Sequence, residues 1–198
     1  MKNQTGKYHV PSQESEILPN LLGLTTSQDI QREEFEGVLL ATSIIVNEVS
    51  DETVFDLGFI YRIHTLAFGE LYEFAGKLRT VNVSKDGFVF PAAMYLEETM
   101  LTFERTMLLT LDKSYGDKDE ALNMIAQIHA ELLFIHPFSE GNGRVARILA
   151  DAMATKYGMP LWNFDPIYKS RMDEYVLAVQ GAAASDYEPM KELFRSLG

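Results

Sequence analysis

The chain has 198 residues, a mass of 22.4 kDa, no cysteine and a formal charge of −12. This length buries a sizeable core as one domain, and 46% hydrophobic with 23% charged residues is the balance of a soluble globular protein without extended disorder. The lack of cysteine excludes disulfides and thiol catalysis and is compatible with a reducing cytoplasm; the acidic charge excludes general binding to nucleic acid or to an anionic membrane, which needs a cationic footprint.

Residues 1–20 read as an extended arm with Pro11 and Pro19 as breakers, ahead of a single domain over 21–198. Met1 to Lys7 lead into polar sequence, so no signal peptide is expected, and no apolar run approaches the ~20 residues of a membrane span. Helical periodicity then predicts helices over 27–48 and 53–68. Between Leu78 and Phe90, two short apolar or alternating runs flank Ser84-Lys85-Asp86-Gly87, a β-hairpin signal in a chain that otherwise reads helical. Val81, Val83, Phe88 and Phe90 are expected to pack one face of that hairpin on the core while an edge stays free. Further helices are expected over 94–114 and 119–135, with Asp117 and Asp119 as candidate caps.

The most informative segment is Phe134-Ile135-His136-Pro137-Phe138-Ser139-Glu140-Gly141-Asn142-Gly143-Arg144-Val145-Ala146-Arg147. After Gly143 the apolar positions Val145, Ile148, Leu149, Ala152 and Met153 recur at three- and four-residue steps, predicting a helix over 142–157 with one buried face. Gly158 and Pro160 end it. Gly141-Asn142-Gly143 therefore stands at a helix N-terminus, where unpaired N–H groups and the dipole favour an anion and glycine lets the backbone approach it. Arg144 and Arg147 are one turn apart and can project toward the same charge. Glu140 is a hard oxygen ligand suited to a Mg²⁺ that keeps most of its waters, and His136 is a side chain able to take a proton near neutral pH.

Downstream, the loop from Met159 to Ile167 carries Trp162, Phe164 and Pro166, aromatics that read as core or as the border of a base-binding site. Helices over 168–182 and 187–197 complete the chain. His129 reads as a satisfied core or near-site residue, whereas His64 and His9 show no partner in the sequence.

The run from His136 to Arg147 resembles the signature of the Fic family, His-x-Phe-x-(Asp/Glu)-Gly-Asn-Gly-Arg-x-x-Arg, at every fixed position. Supporting segments are Tyr61-Arg62-Ile63-His64, then Tyr72-Glu73-Phe74-Ala75-Gly76-Lys77-Leu78-Arg79, and the Asp186-Tyr187-Glu188-Pro189 turn, so that the resemblance runs from about Leu18 to Leu197. It implies an all-α, Fic-type helical bundle with a small β-hairpin flap over the active site. It also implies a protein adenylyltransferase that moves AMP from ATP to a Tyr, Thr or Ser hydroxyl of a target protein. In that scheme His136 is the general base, Glu140 holds Mg²⁺, and the amides of Gly141, Asn142 and Gly143 cradle phosphate oxygens with help from the Asn142 side chain. Arg144 and Arg147 bind the outer phosphates, Phe138 anchors the loop, and Lys85, Asp86 and Gly87 form the tip of a flap that registers the target by strand addition.

A divergent kinase branch of the family carries Lys where this chain has Glu140, which favours nucleotidyl transfer here; a few members use other diphosphate donors. The family's inhibitory pattern, (Ser/Thr)-x-x-x-Glu-(Gly/Asn), is absent, because Glu36-Gly37 is preceded by Arg32 rather than Ser or Thr. The resemblance then implies a toxin-like enzyme restrained by a separate small antitoxin that contacts Arg147. The competing readings are a non-catalytic module that binds nucleotide or a partner, and an enzyme that removes AMP.

Overall fold

The computed structural model describes residues 8–9, 17–85, 87–111 and 117–197, with the backbone alone at 8–9. Most of the expected arm, and Asp86 at the flap tip, lie outside the described residues.

Helix α1 (Ser27–Glu48) starts where the Thr26 hydroxyl accepts the Asp29 amide, and α2 (Leu57–Phe68) where the Asp56 carboxylate accepts the Phe59 amide. That Asp56 cap explains why the second helix begins four residues later than its periodicity suggests. α1 and α2 pack together at Gly37, where an added Cβ would overlap the carbonyl of Ala67. Gly37 thus has a packing reason unconnected with any inhibitory sequence.

A strand β1 (Tyr8–His9) runs parallel to β2 (Asn82–Lys85), which pairs antiparallel with β3 (Phe88–Val89) in the order β1-β2-β3. The hairpin expected from sequence is present, with Ser84 opposite Val89 and Lys85 opposite Phe88. Two details differ from expectation. The β2 edge is occupied at Asn82 and Val83 by β1, leaving the β3 edge open, and Val81 is 53% exposed rather than packed. Val81 precedes the strand, so it escapes the alternation that directs Phe88 and Phe90 inward.

The helix expected over 94–114 is a 3₁₀ turn (Ala93–Tyr95), α3 (Leu96–Thr106) and a second 3₁₀ turn (Leu108–Thr110). Met107 breaks it at φ −127° and ψ −58°. The centre is an antiparallel pair, α4 (Lys118–Ile135), capped by Asp117, and α5 (Asn142–Lys156). All five apolar positions predicted to face inward on α5 are buried, and its partners are α4, α1 and α2. The helix expected over 168–182 divides at Arg171 (φ −124°, ψ 22°) into α6 (Asp165–Ser170) and α7 (Met172–Gly181), Arg171 bonding Glu174 and Ser196. α8 (Glu188–Leu197) returns to α4 and buries Phe194 against Trp162 and Phe164. Trp162 and Phe164 are therefore core. The architecture is a helical bundle with one small flap, and no described helix is long and apolar enough to cross a membrane.

Candidate active site

The bend between α4 and α5 is built by residues that bond to backbone. His136 caps α4 in the left-handed region (φ 51°, ψ 58°), uncommon for a non-glycine residue, and its amide still reaches Leu132 O at 3.0 Å. Asn142 closes the other half of the bend. Its Oδ1 accepts the Phe138 amide at 2.9 Å and its Nδ2 donates to Phe138 O at 2.8 Å. Asn142 is 4% exposed, and its oxygen and one amide hydrogen are used within the loop. Its observed work is to shape the cradle.

Phe138 is fully buried and stacks on His64, ring centroids 3.9 Å apart. Sequence reasoning missed His64. Its Nδ1 accepts the Gly76 amide at 2.7 Å, so Nε2 carries the proton and donates to Glu140 O at 3.1 Å. Burial depresses His64 to about 4, keeping it neutral, and the backbone at Glu140 is thereby fixed from α2. The only available signal was its position in a segment that carried part of the family resemblance, twelve residues before the glycine it engages.

Gly141 (φ 80°) precedes the first helical residue, and a Cβ there would both strain the backbone and overlap the Phe68 ring. The amides of Arg144 and Val145 bond back to Gly141 O, and the Gly141 amide donates to the Glu140 side chain. The amides of Asn142 and Gly143 meet no acceptor among the described residues, leaving two converging donors at the positive end of α5.

The imidazole of His136 donates Nδ1–H to Leu133 O at 3.3 Å, which leaves the Nε2 lone pair as the basic site. Its ring stacks on Phe90 of the flap at 4.1 Å. Burial first, then the positive charges of Arg79 and Lys85, lower its pKa to about 4 against the pull of the Leu133 carbonyl. The ring is neutral at physiological pH, so its Nε2 lone pair is available, and in this buried setting it is a weaker base than an ordinary imidazole.

The two motif arginines are held differently. Arg144 donates Nη1 to Glu34 Oε2 at 2.8 Å and Nη2 to Glu140 Oε1 at 2.9 Å, and lies over Phe68. Desolvation lowers its pKa, but the two carboxylates outweigh that and the net shift is upward. Glu34, 8% exposed on α1, also accepts the Tyr72 hydroxyl at 2.9 Å. Nothing in the sequence linked Glu34 to a site 110 residues away. Arg147 forms no ion pair among the described residues. It lies over Tyr168 (5.1 Å) and Phe164 (6.0 Å), and its charge acts on the Tyr175 hydroxyl and the Asp151 carboxylate. Tyr175 donates to His129 Nε2 at 2.7 Å, and His129 Nδ1 donates to Ala146 O, so His129 is a buried neutral prop beneath α5.

Glu140 is a single carboxylate with 44% of its side chain exposed; Oε1 takes the Gly141 amide and Arg144, while Oε2 accepts no bond among the described residues. One carboxylate beside an anion cradle fits a Mg²⁺ completed by phosphate oxygens and water rather than a site made wholly of protein ligands. No group of three or more acidic, histidine or cysteine side chains able to hold a metal ion exists among the described residues. Lys85, exposed at the end of β2, and Gly87 (φ 82°) form the described part of the flap tip.

A sequence profile described as the Fic/DOC family matches residues 54–154, which contain the flap, α4 and most of α5. The protein adenylyltransferase VbhT of Bartonella schoenbuchensis is 29% identical over 161 residues, 80% of this chain and 33% of that protein. The protein adenylyltransferase Fic of Nematostella vectensis is 32% identical over 126 residues, 63% of this chain and 28% of that protein. The chain thus spans about a third of the length of these relatives. The BepC protein of Bartonella tribocorum, solved with bound AMPPNP, superposes with a TM-score of 0.74 over 94% of both chains at 20% identity, a likeness of fold.

Proposed function

Because the chain belongs to the Fic/DOC family, we propose that it is a protein adenylyltransferase that moves AMP from ATP to a Tyr, Thr or Ser hydroxyl of a target protein. The observation that carries this reading is a neutral imidazole whose Nε2 lone pair, among the described residues, is unengaged, on the same bend as two amides that meet no acceptor among those residues at a helix N-terminus. The names of the relatives support the activity, and the AMPPNP bound to BepC supports ATP as donor.

The amides of Asn142 and Gly143 hold phosphate oxygens at the start of α5, with Arg147, and a shared Arg144, on the outer phosphates. The target's hydroxyl meets His136 Nε2, which takes its proton as the oxygen bonds to the α-phosphorus. The bond from that phosphorus to the bridging oxygen of the β-phosphate breaks, and pyrophosphate leaves. Glu140 would hold Mg²⁺, which would supply positive charge against the phosphates. The described flap residues Lys85 and Gly87 border the approach of the target backbone, received at the edge of β3 that is unpaired among the described residues. Positioning and charge compensation suffice for this reaction class.

Incubation with lysate, Mg²⁺ and ATP labelled at the α-phosphate is expected to label a protein, with labelling lost on chelation. Label transferred instead from the γ-phosphate would replace the proposal with phosphorylation, despite Glu140. Binding of ATP without any transfer would leave a binding module.

One observation also favours restraint by a separate chain. Arg147 has no carboxylate within ion-pair distance among the described residues, whereas Arg144 has two. A small antitoxin presenting a glutamate to Arg147 would compete with the outer phosphate of ATP and lower its affinity.

A further inference from the structure

Arg79 is 2% exposed, and no carboxylate pairs with it among the described residues. Its charge is met by carbonyl groups. Nε donates to His136 O at 2.7 Å, Nη1 to Val81 O at 2.7 Å, and Nη2 to Pro91 O at 2.6 Å with a longer contact to Ile135 O at 3.5 Å. The Arg79 amide donates to Pro137 O at 2.9 Å. Ile135 and His136 supply carbonyls at the C-terminal end of α4, which no further helical amides satisfy and where the dipole favours a cation. Val81 and Pro91 bracket the flap, one before β2 and one after β3.

A side chain used only to fill a core does not need a charge, and burying a guanidinium is unfavourable unless its donors are met. The planar fork of arginine reaches several carbonyls in fixed directions, which lysine cannot copy. Pro91 is also next to Phe90, whose ring stacks on His136. The flap's second foot therefore touches the imidazole through Phe90 and the backbone of His136 through Arg79.

We propose that Arg79 is a positioning residue for the transfer, tying both feet of the flap to the backbone of His136 and so fixing the distance between the target-receiving strand and the proton acceptor. The proposal rests on the adenylyltransferase reading for its consequence, though not for its geometry.

The test uses the full chain and an Arg79→Lys variant, which keeps the charge and loses the fork. Hydrogen exchange of the β2 and β3 amides is expected to quicken about tenfold or more, while that of the α5 amides from Val145 to Met153 stays unchanged. ATP affinity, measured by calorimetry without target, should remain within about twofold, and single-turnover transfer at saturating ATP should fall about tenfold or more. Unchanged flap exchange, or a loss of ATP affinity parallel to the loss of rate, overturns the proposal. Should the variant fail to fold, the unaltered protein decides by NMR: Arg79 Nε–H and the β2 amides should exchange through one shared opening, and unrelated rates overturn it. If the unaltered protein transfers no label, the adenylyltransferase reading fails, while both exchange measurements still report on the tie itself.

Discussion

The two sides of the α4–α5 bend are held by different chemistry. On the base side, His136 is fixed by backbone carbonyls, a phenyl ring and a guanidinium that is not ion-paired. On the phosphate side, Arg144 is clamped between Glu34 and Glu140, with Tyr72 behind Glu34. The first arrangement is complete without any ligand. The second places protein carboxylates where a polyphosphate would compete, so binding there requires Arg144 to share or exchange partners. Proton acceptance is thus built in, whereas charge compensation is completed on binding, with Arg147 as the arginine not already ion-paired.

The sharpest way to break this division is at the base. His136→Ala should reduce transfer by ~10²–10⁴ if the imidazole acts only as base, with ATP affinity by calorimetry nearly unchanged. A comparable fall in affinity would show that the two sides are not separate.

Acid should loosen both sides of the bend together, through their buried imidazoles. His64 and His136 are lowered to about 4, and His129 to about 3, mainly by burial. The unfolded chain, with ordinary imidazoles near 6.5, binds more protons than the folded one below that pH, so stability falls as pH drops from about 6.5 toward 4. Asp151 acts oppositely. Raised to about 6 chiefly by burial, it gains its proton in the folded state on the same descent and returns part of the loss. Urea unfolding should register a net loss of roughly 4 kcal/mol between pH 7 and pH 5; a flat profile would mean that the three imidazoles are not buried neutral.

The arginines sharpen the comparison further. Arg147→Ala should weaken ATP binding about ten- to a hundredfold with little loss of stability. Arg144→Ala should also destabilise the fold by about 2–3 kcal/mol, because Glu34 would stay buried without its cation. Thermal melts paired with calorimetry separate the two.

What the sequence revealed followed the same division by range. The α5 face, the Asp117 cap, the hairpin and the helix-start cradle are local patterns, written in spacings of a few residues, and each is present. The roles of Glu34, His64 and Arg79 are not legible in the sequence, because they act on carbonyls or charges 110, 76 and 57 residues away. No periodicity records such a contact. The break at Arg171 was equally hidden, since an arginine within an apolar helical pattern gives no stop signal. The exposed Val81 shows the converse, a β-branched residue beside a strand that reads as part of its inward alternation and lies outside it.

The smallest expected effect tests whether the phosphate side can be loosened without disturbing the base. Tyr72 is 2% exposed and its ring stacks on Phe74 at 4.6 Å, so Tyr72→Phe keeps the packing and removes only the hydroxyl that Glu34 accepts. Losing one donor to a buried carboxylate costs about 1 kcal/mol of stability. It also leaves Glu34 more dependent on Arg144, making that guanidinium slightly harder to share with ATP. The dissociation constant should rise by about two- to threefold, while the rate at saturating ATP stays the same, because no bond to His136 has changed. In a double-mutant cycle with Arg144→Ala, the affinity effect of the missing hydroxyl should vanish, since there is then no cation for Glu34 to withhold. If instead the saturating rate falls about tenfold, the carboxylate network reaches the imidazole, and the bend works as one unit rather than as two halves.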